Sequence, residues 1–184
     1  MVSRIFSLFG GFAVAISVAT VAMAPEADAA SRDQVFFESA AGSWKGPGEI
    51  VAGKYKGTKF TCNLIGEATN DGDAGLKLDG TCRVGVFKQP MNATIIKTAK
   101  GYTGKFLDGA EGKGLDITTG SLNGERIVLG INRAKLNGAM VASMKSDNDM
   151  NITISVKVEE QMIPVIGMTL TRDLDQMAVG SIKK

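Results

Sequence analysis

The 184-residue chain contains no histidine, so a Ser-His-Asp or Cys-His nucleophile system and a histidine-ligated metal site cannot be built from it. Carboxylates are the next candidates for chemistry. Asp108, Glu111, Asp116 and Glu125 fall in or beside glycine-rich connections, where a carboxylate stays solvated and does not form an acid/base pair. Two stretches have some of the acidic spacing of calcium loops. The one beginning at Asn70 carries Thr81 where the twelfth-position glutamate belongs, and the one beginning at Asp147 carries Ile152 where the sixth-position glycine belongs. Both read as turns. Gly101 to Lys105 and Gly109 to Gly114 lack the spacing and the strand-to-helix setting of phosphate loops. No catalytic residue, metal ligand or cofactor is expected.

The remaining reactive residues are Cys62 and Cys82, and the elements around them argue for a bridge. Phe60, Cys62 and Leu64 alternate with polar residues, as do Leu76, Leu78, Gly80, Cys82 and Val84, which is a period-2 strand pattern. Between the two runs lies the turn-forming Asn70-Asp71-Gly72-Asp73-Ala74-Gly75. Gly72 is the midpoint of 62 and 82, so a hairpin folded there sets the cysteines opposite each other on one face. A Cys62–Cys82 disulfide is expected, provided that the compartment is oxidising.

The N-terminus indicates such a compartment. Arg4 is followed by an uncharged, mostly apolar run from Ile5 to Ala24, and Ala27-Asp28-Ala29 offers the small-x-small pattern of a signal peptidase site. Residues 1–29 read as a signal peptide cleaved after Ala29. A retained anchor is the competing reading, because a run of this length reaches the roughly 20 residues that span a bilayer. Gly10, Gly11, Ser7, Ser17 and Thr20 weaken it as a span. Residues 30–184 then form a single exported domain, periplasmic or extracellular, with no stable membrane span. The formal net charge of +2 gives no electrostatic reason to expect nucleic acid as a partner.

Strands account for most of that domain. Ser31, Gln34 and the following Val35-Phe36-Phe37 predict a short capped helix before Gly42. Helical periodicity then disappears. Ten strands are expected, over 44–51, 59–68, 76–86, 93–98, 102–106, 115–122, 126–132, 139–145, 150–158 and 162–171, separated by turn signals at Asp108-Gly109, Asn123-Gly124, Asn137-Gly138 and Asp147-Asn148-Asp149. The fold class is all-β, an antiparallel up-and-down meander of about 8–10 strands closed as a barrel.

Gly42-Ser43-Trp44, after a short helix and at the start of the first strand, resembles the Gly-x-Trp opening of the lipocalin and avidin (calycin-type) barrels. The resemblance implies that a basic residue at the end of the last strand packs across the tryptophan and closes the barrel bottom. Arg172 stands at that position.

A barrel of this strand number can enclose one small ligand. The expected function is non-catalytic binding of a small apolar or amphipathic molecule, with Phe60, Leu64, Leu78, Val84, Phe106, Leu129, Ile152, Ile154 and Met168 as the candidate lining. The alternative is a protein-facing role, as an envelope component or a periplasmic protease inhibitor acting through Ser31 to Ala41. Exposure of Phe36 and Phe37 would favour that alternative, and their burial would weaken it.

Overall fold

In the computed structural model, the described residues are 26–69, 73–107 and 114–174. Residues 1–25 of the expected 1–29 signal peptide, the hairpin tip at Gly72 and the 108–113 connection, with Asp108, Glu111 and most of the glycine-lysine loop, lie outside them, whereas residues 26–29 are described. A helix, α1 (Glu26–Ala40), precedes ten strands: β1 (Gly42–Ile50), β2 (Lys59–Thr69), β3 (Gly75–Val84), β4 (Phe87–Thr98), β5 (Gly101–Leu107), β6 (Leu115–Asn123), β7 (Arg126–Arg133), β8 (Leu136–Ser146), β9 (Asp149–Val158) and β10 (Gln161–Arg172). Each strand pairs antiparallel with the next, and β10 pairs with β1 to close the barrel. The expected all-β closed meander is the observed fold.

Three boundaries differ from the sequence reading, each for a local reason. α1 starts at Glu26 and not at a Ser31 cap, because acidic residues in its first turn and the alanines after them favour helix. β4 starts at Phe87 and not near 93, so it continues past Pro90. Proline is tolerated there because pairing of β4 with β5 extends only to Asn92 opposite Leu107. The turn between β7 and β8 falls at Ala134-Lys135, with Ala134 at a φ of 52°. Asn137 instead lies opposite Asn132 in the ladder and accepts a 2.6 Å hydrogen bond from its amide.

Alternation along the strands builds the interior. Leu64, Leu76, Ile95, Ile117, Ile127, Leu129, Met140, Met150 and Leu170 are buried, while intervening residues such as Thr61, Asn63, Lys77 and Asp79 are exposed. Cys62 and Cys82 lie opposite each other in the β2–β3 register and form the disulfide, with Cys62 fully buried inside the barrel.

One end is closed by α1 and held by two residues of the β1–β10 seam. Trp44 is fully buried, and its indole N–H donates to the Ala40 carbonyl at 2.9 Å. The Arg172 guanidinium lies 4.3 Å from the indole ring. It donates to the Ala41 carbonyl at 2.6 Å and the Ser39 carbonyl at 2.7 Å, and its Nε donates to Asp147 O at 2.9 Å. The last carbonyls of a helix have no partners within it, and a planar guanidinium supplies several donors at once while stacking on an aromatic face. Gly46 sits two residues along β1, where a Cβ would run into the Thr169 carbonyl of β10. Only glycine lets the two strands approach so closely.

Replacing Arg172 by Ala should cost about 2–4 kcal/mol, because three carbonyls lose a charged donor. Arg172→Lys should recover only part of this, since an ammonium cannot serve the separated carbonyls in one plane. Urea unfolding midpoints of the two variants measure both effects.

Candidate functional site

The helix-capped barrel leaves an internal cavity of about 90 Å³. Its walls come from α1 and from most of the strands. Phe36, Phe37 and Ala40 form the helix side, while Met91, Phe106, Ile154 and Met168 are the lining positions farthest from the helix in their strands. Every lining residue is apolar, and four are methionines: Met91, Met140, Met150 and Met168. An unbranched thioether side chain fits irregular shapes and changes rotamer at little cost. Cys82 contributes the disulfide to the same wall.

Of the nine sequence-derived lining candidates, the cavity brings together Leu64, Leu78, Phe106, Ile152, Ile154 and Met168. The other three stand apart from it. Phe60 is taken up by Gly48, because its ring occupies the space that a Cβ there would need. Leu129 is fully buried and fills the gap left by Gly120. Val84 faces inward by register but is exposed at the rim. Sequence reasoning missed Leu76, Ile95, Ile127 and Met150, which continue the same alternation and could have been found by extending it. It also missed the helix contribution, for which strand periodicity carries no signal.

A polar anchor fixes the helix over this chamber. Asp33 of α1 is 4% exposed and accepts a hydrogen bond from the Tyr102 hydroxyl of β5. The Tyr102 ring makes an edge contact with Phe37 at 6.4 Å between centroids, and Lys97 Nζ lies 5.2 Å from its centre. Burial, and then the neighbouring Asp33 carboxylate, push the Tyr102 phenol well above the usual tyrosine range. Outside the barrel an open cleft of about 720 Å³ runs between α1 and the β6–β7 turn, where Arg32, Asp33, Lys97, Asn123 and Glu125 make it a wet surface. Among the described residues no group of three or more acidic or cysteine side chains is arranged to hold a metal ion. No buried side-chain nitrogen or oxygen there lacks a partner. The chamber wall is apolar throughout and can accept apolar surface.

The site and topology define a closed ten-stranded antiparallel barrel with a helical plug. No family model matches the chain, and no curated protein matches it. Among solved structures it is similar to the crystal structure of Rv2717c from M. tuberculosis, with a TM-score of 0.53, 12% identity, and coverage of 77% of this chain and 97% of that one. At that identity the likeness is one of fold.

The raised Tyr102 phenol has a testable sign. The folded state keeps this proton where the unfolded chain releases it, so the stability it contributes is complete below the ordinary tyrosine value near 10 and is lost as pH rises above it. Thermal unfolding between pH 8 and 11 should therefore fall more steeply in the wild type than in Tyr102→Phe. That variant should also lose about 1–3 kcal/mol at neutral pH, because Asp33 is left buried without its donor.

Proposed function

We propose that this protein is an exported, non-catalytic β-barrel that holds one small apolar or amphipathic molecule in its interior. The observation that carries the reading is the cavity wall, eighteen apolar residues with a flexible methionine at four of them. The Trp44–Arg172 closure supports a lipocalin-type arrangement, and the Cys62–Cys82 bridge fits export to an oxidising compartment. Burial of Phe36 and Phe37 under the helix counts against an inhibitor arm at Ser31 to Ala41, because these side chains are committed to the barrel.

Size limits the ligand. A drug-sized molecule needs about 300 Å³ or more, whereas a dry engineered cavity of ~150 Å³ takes benzene or xenon. The 90 Å³ chamber is smaller than that cavity, so benzene enters with a small shift of the methionines and a longer amphipathic ligand only if they give way much further. Binding to the folded state alone raises the unfolding temperature with ligand concentration. Benzene should therefore raise the Tm saturably, and Ala93→Leu, which fills part of the chamber, should abolish that rise. No benzene effect in the wild type, or an equal effect in Ala93→Leu, would contradict the reading. A fluorescent fatty acid titrated in parallel tells whether the interior expands to admit a chain.

A further inference from the structure

The end of the barrel opposite α1 has a surface that the interior reading leaves unused. Val84, Phe87, Leu136 and Val158 continue the inward-facing rows of β3, β4, β8 and β9, yet all four are exposed, Phe87 by 77%. The interior rows thus end in an apolar rim. Around it the connections present further apolar tips: Val86 in the β3–β4 turn is 87% exposed, Tyr55 in the β1–β2 loop 63% and Met162 of β10 46%. Of the exposed large hydrophobic residues among the described ones, only Val35, Ile65 and Leu174 lie elsewhere. Clustering of this kind at one end marks a contact surface.

Charge identifies the partner. Within the described segments at the mouth (49–60, 83–88, 105–107, 114–116, 133–136 and 157–162) there are nine basic and four acidic residues. The corresponding segments at the helix end (32–40, 67–69, 73–75, 97–102, 122–126, 145–150 and 171–174) hold six basic and eight acidic residues. Among the described residues the two ends therefore differ in sign. Two acidic groups at the mouth, Asp116 and Glu160, are themselves engaged by Lys105 at 3.6 Å and Lys157 at 3.2 Å. Lys54, Lys56, Lys59, Lys88 and Lys135 lie beside the apolar tips. Lysines of this kind bury their stems along apolar surface and keep the ammonium in the headgroup layer, while a tyrosine or phenylalanine at a loop tip suits the boundary between water and acyl chains.

We propose that the protein docks mouth-down on an anionic lipid surface through Tyr55, Val86, Phe87 and Met162, with the flanking lysines paired to lipid phosphates. The outward faces of the strands carry polar residues such as Thr61, Asn63, Lys77 and Asp79, so the barrel rests on the bilayer and does not cross it. The docking stands whether or not the chamber is occupied.

Sedimentation with vesicles tests this, using phosphatidylcholine alone and an equal mixture of phosphatidylcholine and phosphatidylglycerol. The full chain should bind the mixed vesicles, at least about tenfold more tightly than the neutral ones, and binding should weaken as salt is raised. The double substitution V86S/F87S should lose about tenfold or more. K56E/K135E, which disturbs no packed side chain, should lose about fivefold or more per charge removed. Val35→Ser, at the helix end, should bind as the wild type does. Circular dichroism melts confirm that all variants fold. The proposal is overturned by absence of binding to the mixed vesicles, by rim variants that bind like the wild type, or by equal loss in Val35→Ser. Dependence on a protein partner with vesicles ignored would reassign the mouth to protein contact.

Discussion

The contact between Arg172 and Trp44 is the constraint on which the rest of the barrel depends. A meander becomes a barrel only if its first and last strands meet, and here the meeting strands are β1 and β10. Trp44 and Arg172 are register partners across that seam. The same two side chains take up the carbonyls of Ser39, Ala40 and Ala41. One pair of residues thus closes the sheet and caps the helix that plugs it. Because the guanidinium satisfies carbonyls on one side and stacks on the indole on the other, the charge is held at the barrel end with no carboxylate among the described residues paired to it.

From that closure follows the asymmetry of the molecule. At the plugged end Phe36 and Phe37 are driven inward, and Asp33 finds Tyr102. At the other end the inward-facing rows run out into solvent, because no helix among the described residues covers them. Outside the chamber, glycines opposite large residues give those residues room: Gly48 admits Phe60, and Gly120 admits Leu129 and Tyr102. The chamber walls can adapt through the methionines. The barrel thus has one end fixed by the helix, one end with apolar side chains exposed to solvent, and a middle lined by adaptable side chains.

Much of this was legible in the sequence, since strand alternation is a period-2 signal that burial on one face imposes directly. Met150, Ile152, Ile154 and Val156 share a face in the structure as they do in the sequence pattern. The cysteine pair followed from the same parity and a central turn. Alternation tells which face a residue occupies but not how far along the barrel axis it sits. For that reason Val84 was assigned to the lining although it lies on the rim. Phe60 and Leu129 were misplaced for a related cause, because the glycine that absorbs each of them is on another strand. The Asp33–Tyr102 bond joins residues 69 positions apart, and no local pattern announces it. The short helix before Gly42 was legible, but its role as a plug was not: its buried face, Asp33, Phe36, Phe37 and Ala40, has helical spacing yet does not say which element it packs on.

The central claim is that the chamber holds a molecule in the native setting. Native mass spectrometry of protein purified from its own source, without detergent, tests it most directly. The account predicts one discrete excess mass, bound one to one, that disappears under denaturing conditions and is absent from Ala93→Leu prepared in the same way. A wild-type protein whose native mass equals that of its bare chain, alone and after incubation with a lipid extract of that source, would contradict it.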